Sequence, residues 1–517
     1  MLRLASEHYG GRVRGHWTAI GLAVGILAGT MTQACVDLQP YQCTSDEDCI
    51  AGVARGFCED ARYCSYPDPD CPSGRRFSDL AGPLARRCTG VLAGSSTGSS
   101  GLSNDSKSST SGEEPDLPDS PICGNAQPEA GEECDDGNTI DGDGCNTNCV
   151  RGGSVIWEAV VAGDADRSDR YFGLTQLASG DLVAVGHTHQ QPDDRDVLLS
   201  LWTVEGEETT RVVYDVEDGP DTIDDALAVA QGGNGFVFVC GEAQLGGTDT
   251  PWISRWDPTL PLEPSHQRAV ADAPGACHDI ALLDNVMAAV GGGSTAAGES
   301  TAWAHRFSPM DLTPYGLATV AGNFHTRLRA VIRDDDGELV AGGQVDKRGV
   351  VYDTNGLGTP LWQTEQDLEI QSMRLDGDRI IVGGLTDDGP GNEDLWVAAL
   401  GLDGRLQWTY APDDMLTDEV EDIALDPAGN IYAVGHVVAG NNNPDRWVGK
   451  LDPAGDLVWQ RSDYESSAGG EDKARSVEVV RVDEDDDGEP DTLAVVVVAE
   501  IGGPGDTSDA WIARVAP

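Results

Sequence analysis

Basic residues are scarce in this chain. Lys and Arg number 33 against 89 Asp and Glu, so 33 − 89 leaves a formal charge of −56. Phosphate backbones and anionic headgroups are held by clustered Lys and Arg, so this balance argues against nucleic acid as a partner. Long apolar runs are missing too. The one mostly apolar stretch, residues 17–31, is shorter than the roughly 20 residues that span a bilayer. Cysteine all but vanishes after residue 150, where only Cys240 and Cys277 remain. No G-x-S-x-G elbow is present and no Ser-His-Asp order stands out. Acids are so abundant that no glycosidase pair can be singled out. No catalytic residue is nominated on these grounds.

What is present begins with an export signal. Arg3, Arg12 and Arg14 precede the apolar run, as in a signal-peptide h-region, which assigns residues 1–34 to a signal peptide. The run ends at Thr32-Gln33-Ala34-Cys35. This resembles a bacterial lipobox, which implies a diacylated Cys35 and a membrane partner through that lipid anchor. The competing reading is ordinary cleavage, with Cys35 left as a disulfide partner. Eleven of the 13 cysteines lie before residue 150, a density that points to disulfides and an oxidising compartment. An exported protein of the outer membrane or cell surface, or one released from it, is expected.

Residues 35–88 form a six-cysteine module with Cys43, Cys49, Cys58, Cys64, Cys71 and Cys88. It lacks the paired C-x-x-C knuckles of a zinc site, so three disulfides are expected, in a pairing the sequence does not choose. Residues 89–122, rich in Ser, Gly and acids, cannot bury enough apolar surface to offset ordering and read as a flexible linker with a reach of roughly 30 Å. Then come Cys123-Gly124-Asn125, Gly131-Glu132-Glu133-Cys134-Asp135-Asp136-Gly137-Asn138, Asp141-Gly142-Asp143-Gly144-Cys145 and Cys149. This segment, 123–150, resembles the myxobacterial cysteine-rich disulfide repeat, with Ala126 where that family commonly has Gly. The resemblance implies secretion and two disulfides among Cys123, Cys134, Cys145 and Cys149. Asp135, Asp136, Asn138, Asp141 and Asp143 are either a cation site or plain turn residues.

From residue 153 to 517 one phrase recurs seven times: apolar run, polar turn, apolar run ending in Gly, variable loop, aromatic-apolar run. The Gly-terminated runs are 182–186, 236–241, 286–291, 338–342, 379–383, 431–435 and 493–502. Trp252, Trp303, Trp396, Trp447 and Trp511 head the aromatic runs and suit wedges between neighbouring sheets. Four short strands per repeat make a propeller blade. The last repeat stops after its third strand, and the missing apolar-Val-Trp strand stands displaced at Val155-Ile156-Trp157. The expected fold is therefore all-β: a seven-bladed β-propeller closed by its amino-terminal strand, which removes the free edge. The aromatic runs resemble bacterial propeller-repeat proteins, and Asp403-Gly404-Arg405-Leu406-Gln407-Trp408 is similar to quinoprotein dehydrogenase repeats.

The sharpest constellation is Asp483-Glu484-Asp485-Asp486-Asp487-Gly488-Glu489-Pro490-Asp491, seven acids in nine residues. It resembles the calcium hairpin of integrin-type propeller blades. That implies Ca²⁺ held by Asp483, Asp485, Asp487 and Asp491 with the Glu489 carbonyl, since hard Ca²⁺ takes about six to eight oxygens. The alternative is a solvated acidic hairpin. His187, His189 and His436 read as loop histidines without a role. Cys240 and Cys277 make either an inter-blade disulfide or two buried thiols. The function expected is non-enzymatic recognition of a protein or carbohydrate by the variable loops, 187–195, 242–250, 292–301, 385–394 and 437–445. Its rivals are an extracytoplasmic quinoprotein-like dehydrogenase or hydrolase, and an envelope spacer.

Overall fold

The computed structural model describes five short strands between residues 50 and 77, and residues 122–517 apart from 130–131, 163–166, 192–193, 217–222, 262, 284, 295–297, 334–337, 355–356, 388–392, 413–416, 439–442, 463–469, 483–491 and 503–506. The signal, Cys35, Cys43, Cys49, Cys71, Cys88, the linker 89–121 and the acidic hairpin 483–491 lie outside the described residues. The chain divides into two compact units, 1–114 and 115–517.

In the first unit Phe57–Cys58, Cys64–Pro67 and Arg75–Phe77 form a small antiparallel sheet. Cys64 is buried and disulfide-bonded.

The second unit carries strands and turns, with no helix among its described residues. Its seven innermost strands are Arg170–Gln176, Asp224–Gln231, Ala276–Leu283, Arg327–Arg333, the later part of Trp362–Asp376, Glu419–Leu425 and Lys473–Val482. Each opens an antiparallel blade of four strands, numbered 1 to 7 in that order. The displaced strand Val155–Val161 completes blade 7 by pairing with Ser508–Val515, from Ala510↔Val161 to Val515↔Val155. Trp157 donates Nε1–H to the Val204 carbonyl at 3.0 Å, which ties the closing strand to blade 1. The protein is a closed seven-bladed β-propeller.

One blade boundary departs from the regular phrase. The 15-residue strand Trp362–Asp376 is at once the outer strand of blade 4 and the inner strand of blade 5, so the two blades share a seven-stranded sheet.

Second strands such as Val237–Leu245 are buried over most of their length because a neighbouring blade covers each face, whereas outer strands such as Glu208–Tyr214 alternate buried and exposed. Seven apolar clusters result, one at each blade junction. Trp252, Trp303, Trp396, Trp447 and Trp511 each anchor the cluster against the preceding blade. Blades 1 and 4 have Leu198 and Val350 at the matching register.

The cysteine-rich segment 123–150 packs onto the propeller face that carries the turns between first and second strands. Disulfides Cys123–Cys149 and Cys134–Cys145 close it. Lys450 donates to the Gly142 carbonyl at 2.7 Å, Gly153 N–H to the Ala516 carbonyl at 2.8 Å, and Arg461 Nη1 to Ser154 Oγ at 2.6 Å. A cleft of about 810 Å³ remains between the segment and blades 6 and 7. Within the segment, Asp135 accepts N–H bonds from Asn125, Ala126 and Gly137, Asp136 one from Asn138, and Asp141 one from Thr147. These carboxylates act as turn acceptors. Ala126 stands at φ 65°, in the left-handed region.

Candidate functional site at the mouth of the propeller

Every innermost strand carries a β-bulge at the same place. The ladder skips one residue between Tyr171 and Gly173, Ala226 and Ala228, Cys277 and Asp279, Leu328 and Ala330, Ile370 and Ser372, Val420 and Asp422, and Ala474 and Ser476. The skipped residues are Phe172, Leu227, His278, Arg329, Gln371, Glu421 and Arg475. Together they line one cavity on the axis, one from each blade. A bulge turns a side chain away from the pleat. Here it does so seven times, and the result is a ring.

In six of the seven blades a glycine faces the bulge. The residue before each bulge pairs with Gly186, Gly241, Gly291, Gly343, Gly384 or Gly435, and in blade 7 with Ala499. A Cβ on Gly186 would lie 1.8 Å from the Arg170 carbonyl oxygen, and one on Gly241 the same distance from that of Asp225. This corrects the sequence reading in three blades. The glycine that answers the bulge is Gly343 rather than Gly342 and Gly384 rather than Gly383, while Ala499 holds the place expected of Gly502. The five wedge tryptophans stand directly across the second strand, opposite Gly241, Gly291, Gly384, Gly435 and Ala499.

Charge in the ring is paired rather than free. Arg475 donates to Glu421 and to Glu500, and Arg170 Nε stands 2.5 Å from Glu500. Burial works against the Arg475 charge, but Glu421 and Glu500 outweigh it and hold its pKa up. Arg327 forks onto Glu369 with two bonds of 2.8 Å, and Arg329 adds one at 3.0 Å. Burial opposes the Glu369 charge, yet these two guanidinium groups lower its pKa. Below the ring, Asp422 accepts from Ser372 at 2.6 Å, Ser476 at 2.7 Å and Arg374 at 3.0 Å.

Three carboxyls around the axis are pushed the other way. Burial raises Asp279 and Glu478 to about 7. Burial, then the neighbouring charge of Glu421, raises Glu419, which accepts a bond from Gln371. His278 is held well below its ordinary value by burial, then by Arg329 and Arg327. Glu419, Glu421 and His436 offer ligand atoms within 4.8 Å of one another. The Arg475 guanidinium already balances Glu421, and burial with Lys473 and Arg475 lowers His436 to about 3.

His187 and His436 are not loop residues. They lie in the second strands Leu182–Gln191 and Ile431–Val438 and are buried. His187 Nδ1 stands 2.7 Å from Asp225, whose other oxygen takes Arg195 at 2.6 Å. His189 Nδ1 meets the Ser168 carbonyl at 2.6 Å. Cys240 and Cys277 are joined by a disulfide that links the second strand of blade 2 to the inner strand of blade 3.

A groove of about 740 Å³ opens on the mouth face over blades 2 to 4. Its floor is largely backbone at Gly275, Gly292 and Gly293, and it reaches the axis at His278 and Arg327. Phe324, 49% exposed, stands at its rim. Glu242, on the blade 2 side, is raised to about 6 by burial and then by Asp249 and Asp225. The groove joins two of the expected variable loops, 242–250 and 292–301; residues 295–297 of the second lie outside the described residues. None of the ring residues was nominated from sequence. Their one signal is position, directly after the residue that pairs with the glycine.

The sequence matches no protein-family model and no curated protein. Solved structures similar to it include Sqt1 of Chaetomium thermophilum, with 14% identity, 70% of this chain and 98% of that chain covered, and a TM-score of 0.39. The Dos1 propeller gives 8% identity, coverage of 70% and 95%, and a TM-score of 0.43. Virginiamycin B lyase from Staphylococcus aureus, in selenomethionine form, gives 10%, 70% and 98%, and 0.40. These figures bear on neither ligand nor chemistry.

Proposed function

We propose that this is an exported, lipid-anchored recognition protein that binds a surface glycan or protein through the mouth of its propeller. The observation that carries the reading is the groove over blades 2 to 4. Its volume of about 740 Å³ falls within the roughly 300–1,000 Å³ of small-ligand sites. It combines exposed backbone, Ser300, Asn323 and Thr326 as hydrogen-bonding groups, and Phe324 as an apolar platform. Arg327, where the groove reaches the axis, is spent on Glu369, which suits a rigid binding surface rather than a reacting one. Export and anchoring rest on residues 1–35 and on the disulfides, and the myxobacterial-type repeat fits the same setting.

The axial cavity favours a second reading, an extracytoplasmic enzyme. Asp279 lines it, Glu419 bonds the lining residue Gln371, and Glu478 lies beside the lining residue Arg374; all three carry raised pKa values, as general acids do. The cavity's two overlapping parts, of about 170 Å³ at the ring and about 130 Å³ along Asp279 and Asp422, are small for a substrate.

The test is a glycan array and a surface-protein pull-down with the mature chain, followed by Phe324→Ala and Glu419→Gln. Binding that Phe324→Ala abolishes and Glu419→Gln spares supports recognition. Turnover of a bound glycan or peptide, lost in Glu419→Gln, moves the protein to the enzyme class. Mass spectrometry of the mature amino terminus checks the anchor: an unmodified start beyond Cys35 rules it out.

A further inference from the structure

We infer that Asp196, Asp215 and Asp224 form a calcium site at the junction of blades 1 and 2, on the mouth face. Asp196 lies near the tip of the hairpin between the second and third strands of blade 1, paired with Thr188. Asp215 directly follows that blade's outer strand Glu208–Tyr214, and Asp224 opens the inner strand of blade 2. Three separate segments thus bring carboxylate oxygens within 4.8 Å of one another. Asp196 and Asp224 are buried, at 8% and 0% exposure.

The independent observation is at Asp224. Its Oδ2 accepts the Val216 N–H at 2.8 Å, while its Oδ1 is buried with no hydrogen-bond partner. A buried carboxylate oxygen left without a donor loses its hydration for nothing in return. Arg195, adjacent in sequence, directs Nη2 to Asp225 instead. A cation among the three carboxylates would satisfy Oδ1 and relieve their mutual repulsion. An all-carboxylate donor set suits a hard ion rather than zinc, which takes Cys and His. Carboxylates converging from three segments suit the larger, less regular shell of Ca²⁺ better than the strict octahedron of Mg²⁺. The bound ion would clamp the blade 1 hairpin to the crossing into blade 2, beside the His187–Asp225–Arg195 group.

The experiment uses the full chain carrying Asp485→Ala, so that the acidic hairpin 483–491 adds no calcium of its own. After EDTA treatment, Ca²⁺ and Mg²⁺ are titrated by calorimetry and the melting temperature is followed. One equivalent of Ca²⁺ bound more tightly than Mg²⁺, with an upward melting shift, is expected. Adding Asp224→Asn removes both the equivalent and the shift. In EDTA that variant melts at or above its parent, because one of three like charges is gone. Asp196→Asn repeats the pattern should Asp224→Asn not fold. The inference is overturned if the Asp485→Ala chain binds no Ca²⁺ or prefers Mg²⁺. It is equally overturned if Asp224→Asn and Asp196→Asn melt below the parent to the same extent in EDTA and in Ca²⁺.

Discussion

Gly435 faces Val420 across the first hairpin of blade 6, and a methyl group on it would lie 1.9 Å from the carbonyl oxygen of Glu419. That contact joins the sequence phrase to the mouth of the propeller. The bulge that presents Glu421 to the axis brings the Glu419 carbonyl against the second strand, and only a residue without a side chain leaves it room.

Gly435→Ala should therefore destabilise the propeller by roughly 1–3 kcal/mol, the range of overpacking. Gly186→Ala should behave alike. Ala499 occupies the same register in blade 7, so Ala499→Gly should lower stability by no more than about 1 kcal/mol, through backbone entropy. Urea denaturation of the three variants checks this. Equal tolerance of Ala at 435 and 499 would falsify the steric account.

The scaffold was legible because its signals are local and repeated. Trp157 displaced to the front and a last blade ending at its third strand were enough to place the closing strand. The mouth was not legible, for a physical reason. A bulge shifts the facing of one residue, so period-two reasoning along an inner strand loses its phase where the axial side chain stands. The seven ring positions also hold Phe, Leu, His, Arg, Gln, Glu and Arg, which share no chemistry for a repeat search to find. Where two glycines adjoin, as at Gly342-Gly343 and Gly383-Gly384, the phrase alone cannot say which one meets the carbonyl. Asp196, Asp215 and Asp224 meet only through the fold, and 89 acids conceal such a trio.

Arg475 is the electrostatic keystone of the mouth, because it serves Glu421 and Glu500 at once. Arg475→Met should lower stability by about 3–5 kcal/mol, since both carboxylates lose a buried partner. Arg475 and Arg170 hold the Glu500 pKa below its ordinary value against burial, so the loss should shrink as acid protonates Glu500 and removes the charge that Arg475 answers. Arg475→Lys keeps the charge but not the fork, and should recover part of the difference. Thermal melts at pH 4.5 and pH 7.5 separate the three proteins. A pH-independent loss in Arg475→Met would point to packing alone.

The Cys240–Cys277 bridge closes a loop with a sequence separation of 37 between two blades. On the chain-entropy estimate it contributes about 3–4 kcal/mol by restricting the unfolded chain. Replacing both cysteines with Ala should lower the midpoint accordingly, and a reducing agent should produce a similar drop in the wild type. The double variant should lose less to the reductant than the wild type does, because only the bridges they share, Cys123–Cys149 and Cys134–Cys145 among them, remain to be reduced. Equal denaturation midpoints of wild type and variant under oxidising conditions would mean the bridge adds nothing.

Glu478 gives the pH dependence a definite sign. Burial raises its folded-state pKa to about 7, against about 4.3 for an unperturbed Glu. The folded protein therefore retains a proton that the unfolded chain releases between about pH 4 and pH 7. Its contribution to stability falls as pH rises through that window and stays low above it. The overall charge of −56 slopes the same way, so the readout is the difference between wild type and Glu478→Gln. Gln cannot ionise and keeps nearly the same shape. The variant should match the wild type near pH 4 and exceed it by about 1–2 kcal/mol at pH 8, a figure kept small because the side chain is only partly buried. Urea midpoints at the two pH values decide the matter. A variant less stable than the wild type at pH 8 would show that Glu478 is ionised and paired in the folded state, with Arg374, the positive group that opposes its burial, as the partner.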